Sequence, residues 1–198
     1  MVDDDGAEPA YPWWLVGVPA VLWLAIVADD VLLVPRVSGT LALGLLDEPA
    51  HLATTLIVLL AVATLAGVRR MAGPALWFAA GALVAGNAID VDHVPALLGS
   101  DFLTEGTPRP YSHSLITVAA LLLLARVARG RGRPLLAGAA VGVLLHLFRD
   151  LATAPVSLWW PFDSAPSSLP YPIYSVVVGG LALVPLVAAL ARRRRRAG

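Results

Sequence analysis

Two groups of residues in this sequence have the types and the spacing that metal binding requires. Asp90, Asp92 and His93 lie within four consecutive positions at the end of an apolar run. His146 and Asp150 are four residues apart, so on a helix they would project from the same face. An unpaired carboxylate is costly to remove from water, and ionisable groups at membrane depth are usually functional. These five residues therefore predict a metal site.

The two remaining histidines, His51 and His113, each flank another apolar run. His51 could equally be a polar residue at a helix end, and Asn87 could support a ligand or join two helices. Histidine with carboxylate suits Zn²⁺, Mn²⁺ or Fe²⁺ better than Ca²⁺, and two ions about 3.5–4 Å apart suit phosphoester cleavage. We predict one or two divalent ions, with Zn²⁺ favoured, and these ligands: His51, Asp90, Asp92, His93, His113, His146 and Asp150.

Other polar residues have simpler interpretations. We expect Asp29 and Asp30 to mark the end of a helix. Asp47 and Glu48 are expected to begin the next helix, since acidic side chains are favourable at a helix N-terminus. Arg149 is expected to pair with a neighbouring acid.

The elements that must position these residues are membrane-spanning helices. Of the 198 residues, 58% are hydrophobic and 14% are charged, which lies outside the range of soluble proteins. A spanning helix needs about 20 mostly apolar residues. We predict six, at residues 13–28 (or 13–34 if the helix continues), 51–68, 74–89, 114–127, 134–151 and 173–191. The predicted fold class is an all-α polytopic membrane protein.

The arginines predict the orientation of these helices. The chain has no lysine, and all arginines except Arg36, Arg109 and Arg149 fall in three clusters, at residues 69–70, 126–133 and 192–196. With six spans the three clusters lie on one side of the membrane, which the positive-inside rule makes cytoplasmic. Both termini are then expected in the cytoplasm. All four histidines are expected at the opposite, extracytoplasmic side.

These residues resemble the motifs of a known family, the bacterial inner-membrane metal-dependent hydrolases described as phospholipase C-like. Its Asp-x-Asp-His motif matches residues 90–93, and its His-x-x-x-Asp motif matches residues 146–150, with Thr153 nearby. Its closing Trp-Pro-Phe matches residues 160–162.

A further motif of that family, His-Arg-Gly-x-Thr-His-Ser, matches only in part. Arg109, His113 and Ser114 are in register with it, whereas Pro108 and Pro110 replace its first histidine and its glycine. The resemblance covers roughly residues 50–165. It divides a single membrane domain, residues 1–198, into an added N-terminal helix and outer loop (1–46), a hydrolase-like core (47–165), and a last helix with a basic tail (166–198).

The resemblance implies a hydrolase in the bacterial cytoplasmic membrane. A site at membrane level favours a phosphoester of a lipid or a lipid-linked molecule, cleaved by metal-activated water. We expect Arg109 to hold the phosphate and a carboxylate that does not bind metal, Asp90 or Asp150, to act as general base. Ser112 or Ser114 could be a nucleophile, but no dedicated base is identifiable for either, so water is favoured.

Two other classes of function remain open from the sequence. A transporter could pass metal ions or protons through the same residues, although four of the predicted helices have almost no polar residues at mid-depth. A membrane scaffold could use the metal only to join helix ends. The expected partners are membrane lipids, and so apolar a chain argues against nucleic acid.

Overall fold

The chain forms a helical bundle whose four histidines gather at one end. The computed structural model describes residues 13–38, 40–67 and 73–197. The helices are α1 (Trp13–Ala28), α2 (Thr40–Leu65), α3 (Pro74–Ala88), α4 (Val94–Leu97), α5 (Leu115–Val127), α6 (Gly132–Thr153) and α7 (Tyr171–Ala197). A π-helical turn (Asp29–Leu33) and a 3-10 turn (Val34–Arg36) extend α1, and a 3-10 segment (Ile89–His93) joins α3 to α4.

In the described part of the chain, five segments are long and apolar enough to cross a membrane: Leu15–Arg36, Leu46–Leu65, Pro74–Leu97, Gly132–Thr153 and Tyr171–Arg195. Helix α5 is apolar but has only 13 residues, about 20 Å at 1.5 Å per residue, against a hydrocarbon thickness of about 30 Å. The predicted all-α polytopic membrane fold is therefore confirmed. The fourth of the six predicted spans is a short apolar helix.

Helix α2 begins earlier than the apolar pattern predicted. The expected start at His51 is wrong, because the helix already begins at Thr40 and continues through Pro49. Asp47 and Glu48 therefore lie within the helix rather than at its start. Arg149 from α6 compensates the charge of Asp47 inside the helix. The apolar pattern of the sequence gives no indication of this ion pair. The predicted end at Val68 and the arginine pair 69–70 lie outside the described residues.

The closest helix packing in the described bundle joins α3 and α6. A Cβ atom on Gly138 would overlap the backbone carbonyl of Phe78, and one on Gly142 would overlap that of Ala82. Gly138 and Gly142 are four residues apart, so both face α3, and small residues at this spacing let membrane helices approach until their backbones touch. A Cβ on Gly86 of α3 would lie 3.0 Å from the carbonyl oxygen of Gly142. The two backbones are therefore in direct contact.

Helix α1 packs on α7 and α2. The Trp23 indole donates a hydrogen bond to the carbonyl oxygen of Ser175 at 3.0 Å, and its ring lies where a Cβ on Gly179 would stand. Ile26 is 2% exposed and belongs to an apolar cluster with Ile57 and Val178. These contacts hold the end of α1 beside the polar end of the bundle.

We predict that Gly142→Ala destabilises the protein by about 1–3 kcal/mol, because the added methyl group overpacks the contact with α3. Gly180→Ala is the matched control. Gly180 lies in α7, and nothing stands within 4 Å of a Cβ added there. This control should be neutral or stabilising by about 0.5–1 kcal/mol. Thermal unfolding in detergent micelles measures both effects, and equal melting temperatures for the two variants would contradict the packing described.

Candidate metal site

Six helix ends bring their polar residues to one end of the bundle. The end of α1 supplies Asp30, and the first part of α2 supplies Asp47 and His51. The other contributions come from the segment after α3, the loop before α5, the end of α6 and the start of α7. The segment Ile89–His93 is a 3-10 helix, in which side chains three residues apart eclipse each other. Asp90 and His93 therefore share a face, as their spacing predicted.

Two adjoining groups of side chains have the geometry of metal ligands. His51, His146 and Asp150 form one group, and all three are buried. Asp90, His93 and His113 form the other. Within each group the potential ligand atoms lie within 4.8 Å of one another. The structure thus brings together six of the seven residues that the sequence singled out, from four separate segments of the chain.

The distances match those expected around a tetrahedral ion. Ligands about 2.0–2.2 Å from such an ion lie roughly 3.4 Å from each other. Nε2 of His146 lies 3.4 Å from Oδ2 of Asp150 and 3.3 Å from Oδ1 of Asp90. Nε2 of His93 lies 3.4 Å from the same Asp90 oxygen. The contact between His146 and Asp90 joins the two groups, so the pair of sites is contiguous.

Buried polar atoms without a hydrogen-bond partner mark the same place. Among the described residues these include Nδ1 of His51, Nε2 of His146 and both carboxylate oxygens of Asp150, whose contacts with His146 and Arg109 are ionic. Nδ1 of His146 lies 2.8 Å from the carbonyl oxygen of Gly86, which can only accept, so this nitrogen carries the proton. In the neutral ring Nε2 then keeps its lone pair, and a backbone carbonyl commonly orients a metal-binding histidine in this way. The residues fit a divalent metal ion.

The charges also favour a cation. Asp90, Asp92 and Asp150 surround the histidines, and Arg109 is the guanidinium that reaches them, with Nη2 3.1 Å from Oδ1 of Asp150. Three carboxylates therefore share one guanidinium, and the fixed negative charges outnumber the fixed positive charge. Because an uncompensated buried charge is costly, this surplus is suited to a divalent ion.

His113 lies in the loop before α5 and is 2% exposed. Burial lowers the pKa of its imidazole, but contacts with Asp90 and Asp92 outweigh burial and raise the pKa above its ordinary value. Its Nε2 lies 3.0 Å from Oδ1 of Asp90, and its Nδ1 lies 3.6 Å from Oδ2 of Asp92. The carboxylates that favour a proton on this ring would equally attract a metal cation beside it.

The remaining predicted residues lie close by with different contacts. Asp92 belongs to neither ligand group, and both of its oxygens are buried without a hydrogen-bond partner among the described residues. The hydroxyl of Ser114 is likewise buried and unpartnered, whereas that of Ser112 lies 3.4 Å from Nδ1 of His113. Asn87 donates a hydrogen bond to the carbonyl oxygen of Leu83 in its own helix.

Sequence reasoning missed the residues behind His51. Oδ2 of Asp47 lies 3.3 Å from Nε2 of His51, and Oδ1 of Asp47 accepts hydrogen bonds from Arg149. Arg149 also forms two hydrogen bonds with Asp30, so the expectation that it pairs with acids is confirmed. Asp47 and His51 are four residues apart, as His146 and Asp150 are, and this spacing was visible in the sequence.

Comparison with known proteins agrees with this architecture. Residues 46–198, about three quarters of the chain, match the family described as YdjM inner membrane protein. No curated protein matches the chain, and no solved structure matches it. The match and the apolar helices together indicate a multi-pass protein of the inner membrane. The chain therefore belongs to the YdjM inner membrane protein family.

Proposed function

We propose that the protein is a metal-dependent hydrolase that cleaves a phosphoester in a lipid or lipid-linked substrate. The observation that carries this proposal is the convergence of buried, unpartnered histidine and carboxylate atoms at one end of the bundle. Nδ1 of His51 and both carboxylate oxygens of Asp92 lose their hydration on folding and make no hydrogen bond among the described residues. A purely structural role would leave that cost without compensation.

Two ions can be accommodated. His51, His146 and Asp150 would hold one, and Asp90, His93 and His113 would hold the other. Zn²⁺, Mn²⁺ and Fe²⁺ all suit nitrogen and carboxylate ligands. When bound, such ions supply Lewis acidity and lower the pKa of a bound water toward about 7.

The protein's own residues have distinct roles in this proposal. Arg109 reaches the site from the loop before α5 and can bind a phosphoryl oxygen while it remains beside Asp150. Asp92, which belongs to neither ligand group, is the carboxylate best placed to accept a proton from water. Asp90 and Asp150, expected earlier as a general base, each fall in a ligand group instead.

The proposal also includes the route by which the substrate reaches the site and the orientation of the protein in the membrane. The site lies at one end of helices that are long and apolar enough to cross a membrane, and the outer surface of those helices is rich in exposed leucine and valine. A substrate that is itself a lipid would reach such a site from the bilayer. The arginine clusters predict that this end of the bundle is extracytoplasmic, with both termini in the cytoplasm.

We expect the purified protein to bind Zn²⁺ or Mn²⁺ in a ratio of one or two ions per chain. His146→Ala should reduce the bound metal strongly, because His146 contacts members of both ligand groups. Asn87→Ala is the control, since Nδ2 of that amide donates to Leu83 in its own helix and Asn87 belongs to neither ligand group among the described residues. Elemental analysis of protein dialysed against trace metal gives the result. A wild-type protein without bound metal would overturn the proposed site.

We expect turnover of a phosphoester by the metal-loaded protein. Vesicles of phosphatidylglycerol, and separately a lipid-linked diphosphate, are incubated with protein loaded with Zn²⁺, Mn²⁺ or Fe²⁺. Release of phosphorus into the aqueous phase measures hydrolysis. Asp92→Asn should abolish turnover and keep the bound metal. Metal-loaded protein that hydrolyses neither probe, but carries metal ions across proteoliposome membranes, would favour a transporter.

We expect Arg109→Ala to lower kcat/KM about 10- to 100-fold without loss of bound metal, because a charge-assisted hydrogen bond contributes about 1.5–3 kcal/mol. Arg109→Lys should recover part of this loss, since lysine keeps the charge but not the bidentate geometry. Steady-state kinetics and metal content are measured on the same samples. Unchanged kinetics in Arg109→Ala would exclude Arg109 from substrate binding.

A further inference from the structure

A fully buried arginine lies directly behind the candidate metal site. The side chain of Arg149 is 0% exposed, and it lies on α6 next to Asp150. Its Nη1 and Nη2 donate to the two carboxylate oxygens of Asp30 at 3.1 and 2.8 Å. Its Nε and Nη2 donate to Oδ1 of Asp47 at 3.0 and 2.6 Å. One guanidinium therefore has two carboxylate partners, from α1 and α2.

The two carboxylates use their oxygens differently. Asp30 gives both oxygens to Arg149, and the hydroxyl of Tyr171 donates a further hydrogen bond to its Oδ2 at 2.8 Å. Asp47 gives Arg149 only Oδ1, which leaves Oδ2 for His51 at 3.3 Å. His51 in turn stacks on His146 with ring centroids 3.7 Å apart. The contacts thus run without a break from α1 to the ligand group of His51, His146 and Asp150.

The family match does not include the element that supplies Asp30. It begins at residue 46, whereas Asp30 follows α1 in the π-helical turn. Trp23 and Ile26 hold the end of α1 against α7, which fixes Asp30 opposite Arg149. In this chain the surroundings of the site therefore include a helix that lies before the region shared with the family.

We propose that Asp30 is a positioning residue for metal binding. Asp30 accepts hydrogen bonds from Nη1 and Nη2 of Arg149. Oδ2 of Asp47 therefore remains available to orient the imidazole ring of His51. Without the negative charge of Asp30, the buried Arg149 would draw both oxygens of Asp47 into its own pairing, because a buried guanidinium requires compensation. His51 would then lose the carboxylate that fixes its ring. This inference rests on the proposed function, since it presumes that His51 is a metal ligand.

Asp30→Asn tests the inference, because it removes the charge and keeps the size of the side chain. We expect the affinity for Zn²⁺ to fall about tenfold, at the lower end of the range for residues that support metal ligands. Asp30→Glu should restore much of it. Affinity is measured by Zn²⁺ titration against a competing chelator, well below the melting temperature. The visible spectrum of the Co²⁺-loaded protein reports whether the ligand geometry has changed.

Two controls separate positioning from stability. Asp29→Asn removes a neighbouring charge that has no hydrogen bond with Arg149 among the described residues. Thr54→Val removes a hydrogen bond to Tyr174 in the same buried cluster without a change of charge. Both should keep the wild-type affinity and Co²⁺ spectrum, even where the melting temperature falls. If Asp30→Asn does not fold, Tyr171→Phe should show a smaller loss of affinity in the same direction.

The outcomes are distinct from those that test the proposed function. Metal binding by the wild type, weakened in Asp30→Asn but not in Asp29→Asn, supports the role of Asp30. Equal affinities in the wild type and Asp30→Asn, or in the wild type and Tyr171→Phe when Asp30→Asn cannot be purified, overturn that role and leave the metal site intact. A wild type that binds no Zn²⁺ overturns both proposals together.

Discussion

The direct contact between the backbones of α3 and α6 determines where the polar side chains can meet. Positions 138, 142, 146 and 150 follow one another at four-residue intervals along one face of α6. The first two are glycines, whose lack of a side chain lets the backbone of α3 come into contact. The last two are His146 and Asp150. The same four-residue progression leads from Ala82 and Gly86 on α3 to Asp90 in the 3-10 segment that follows it. Packing and candidate ligands thus occupy successive turns of two helices, so the approach of the backbones sets the distances between the side chains.

Charge compensation is the second constraint on this end of the bundle. Arg149 is paired with two carboxylates, Asp30 and Asp47, whereas the carboxylates around His146 have Arg109 as their guanidinium partner. A buried ion pair contributes little net stability, but a buried charge without a partner is strongly destabilising. The arrangement therefore separates two environments a few ångströms apart. In the first, the guanidinium and both carboxylates form hydrogen bonds within the protein. In the second, carboxylates and buried atoms without a hydrogen-bond partner suit a cation.

Much of this arrangement could be predicted from the sequence, because it rests on local patterns. The apolar runs predicted the order and the approximate positions of the long apolar helices, and the spacing of His146 and Asp150 placed both on one face. The start of α2 could not be predicted in this way. The charged pair Asp47 and Glu48 interrupts the apolar run, so the pair was interpreted as a boundary of the helix although it lies inside the helix. The pairing of Arg149 with Asp30 joins residues 119 positions apart, and no local pattern specifies that contact. Asp47 was visible four residues before His51, but was interpreted as the beginning of a helix.

The brevity of α5 has a consequence for the lipids around the protein. A 13-residue helix leaves about 10 Å of the hydrocarbon layer unmatched, which thinner lipid or the flanking loop residues must make up. The residues immediately before α5 are Ser112, His113 and Ser114. Thinning of the lipid on that side would place His113, two residues before the first residue of α5, nearer to the headgroup layer.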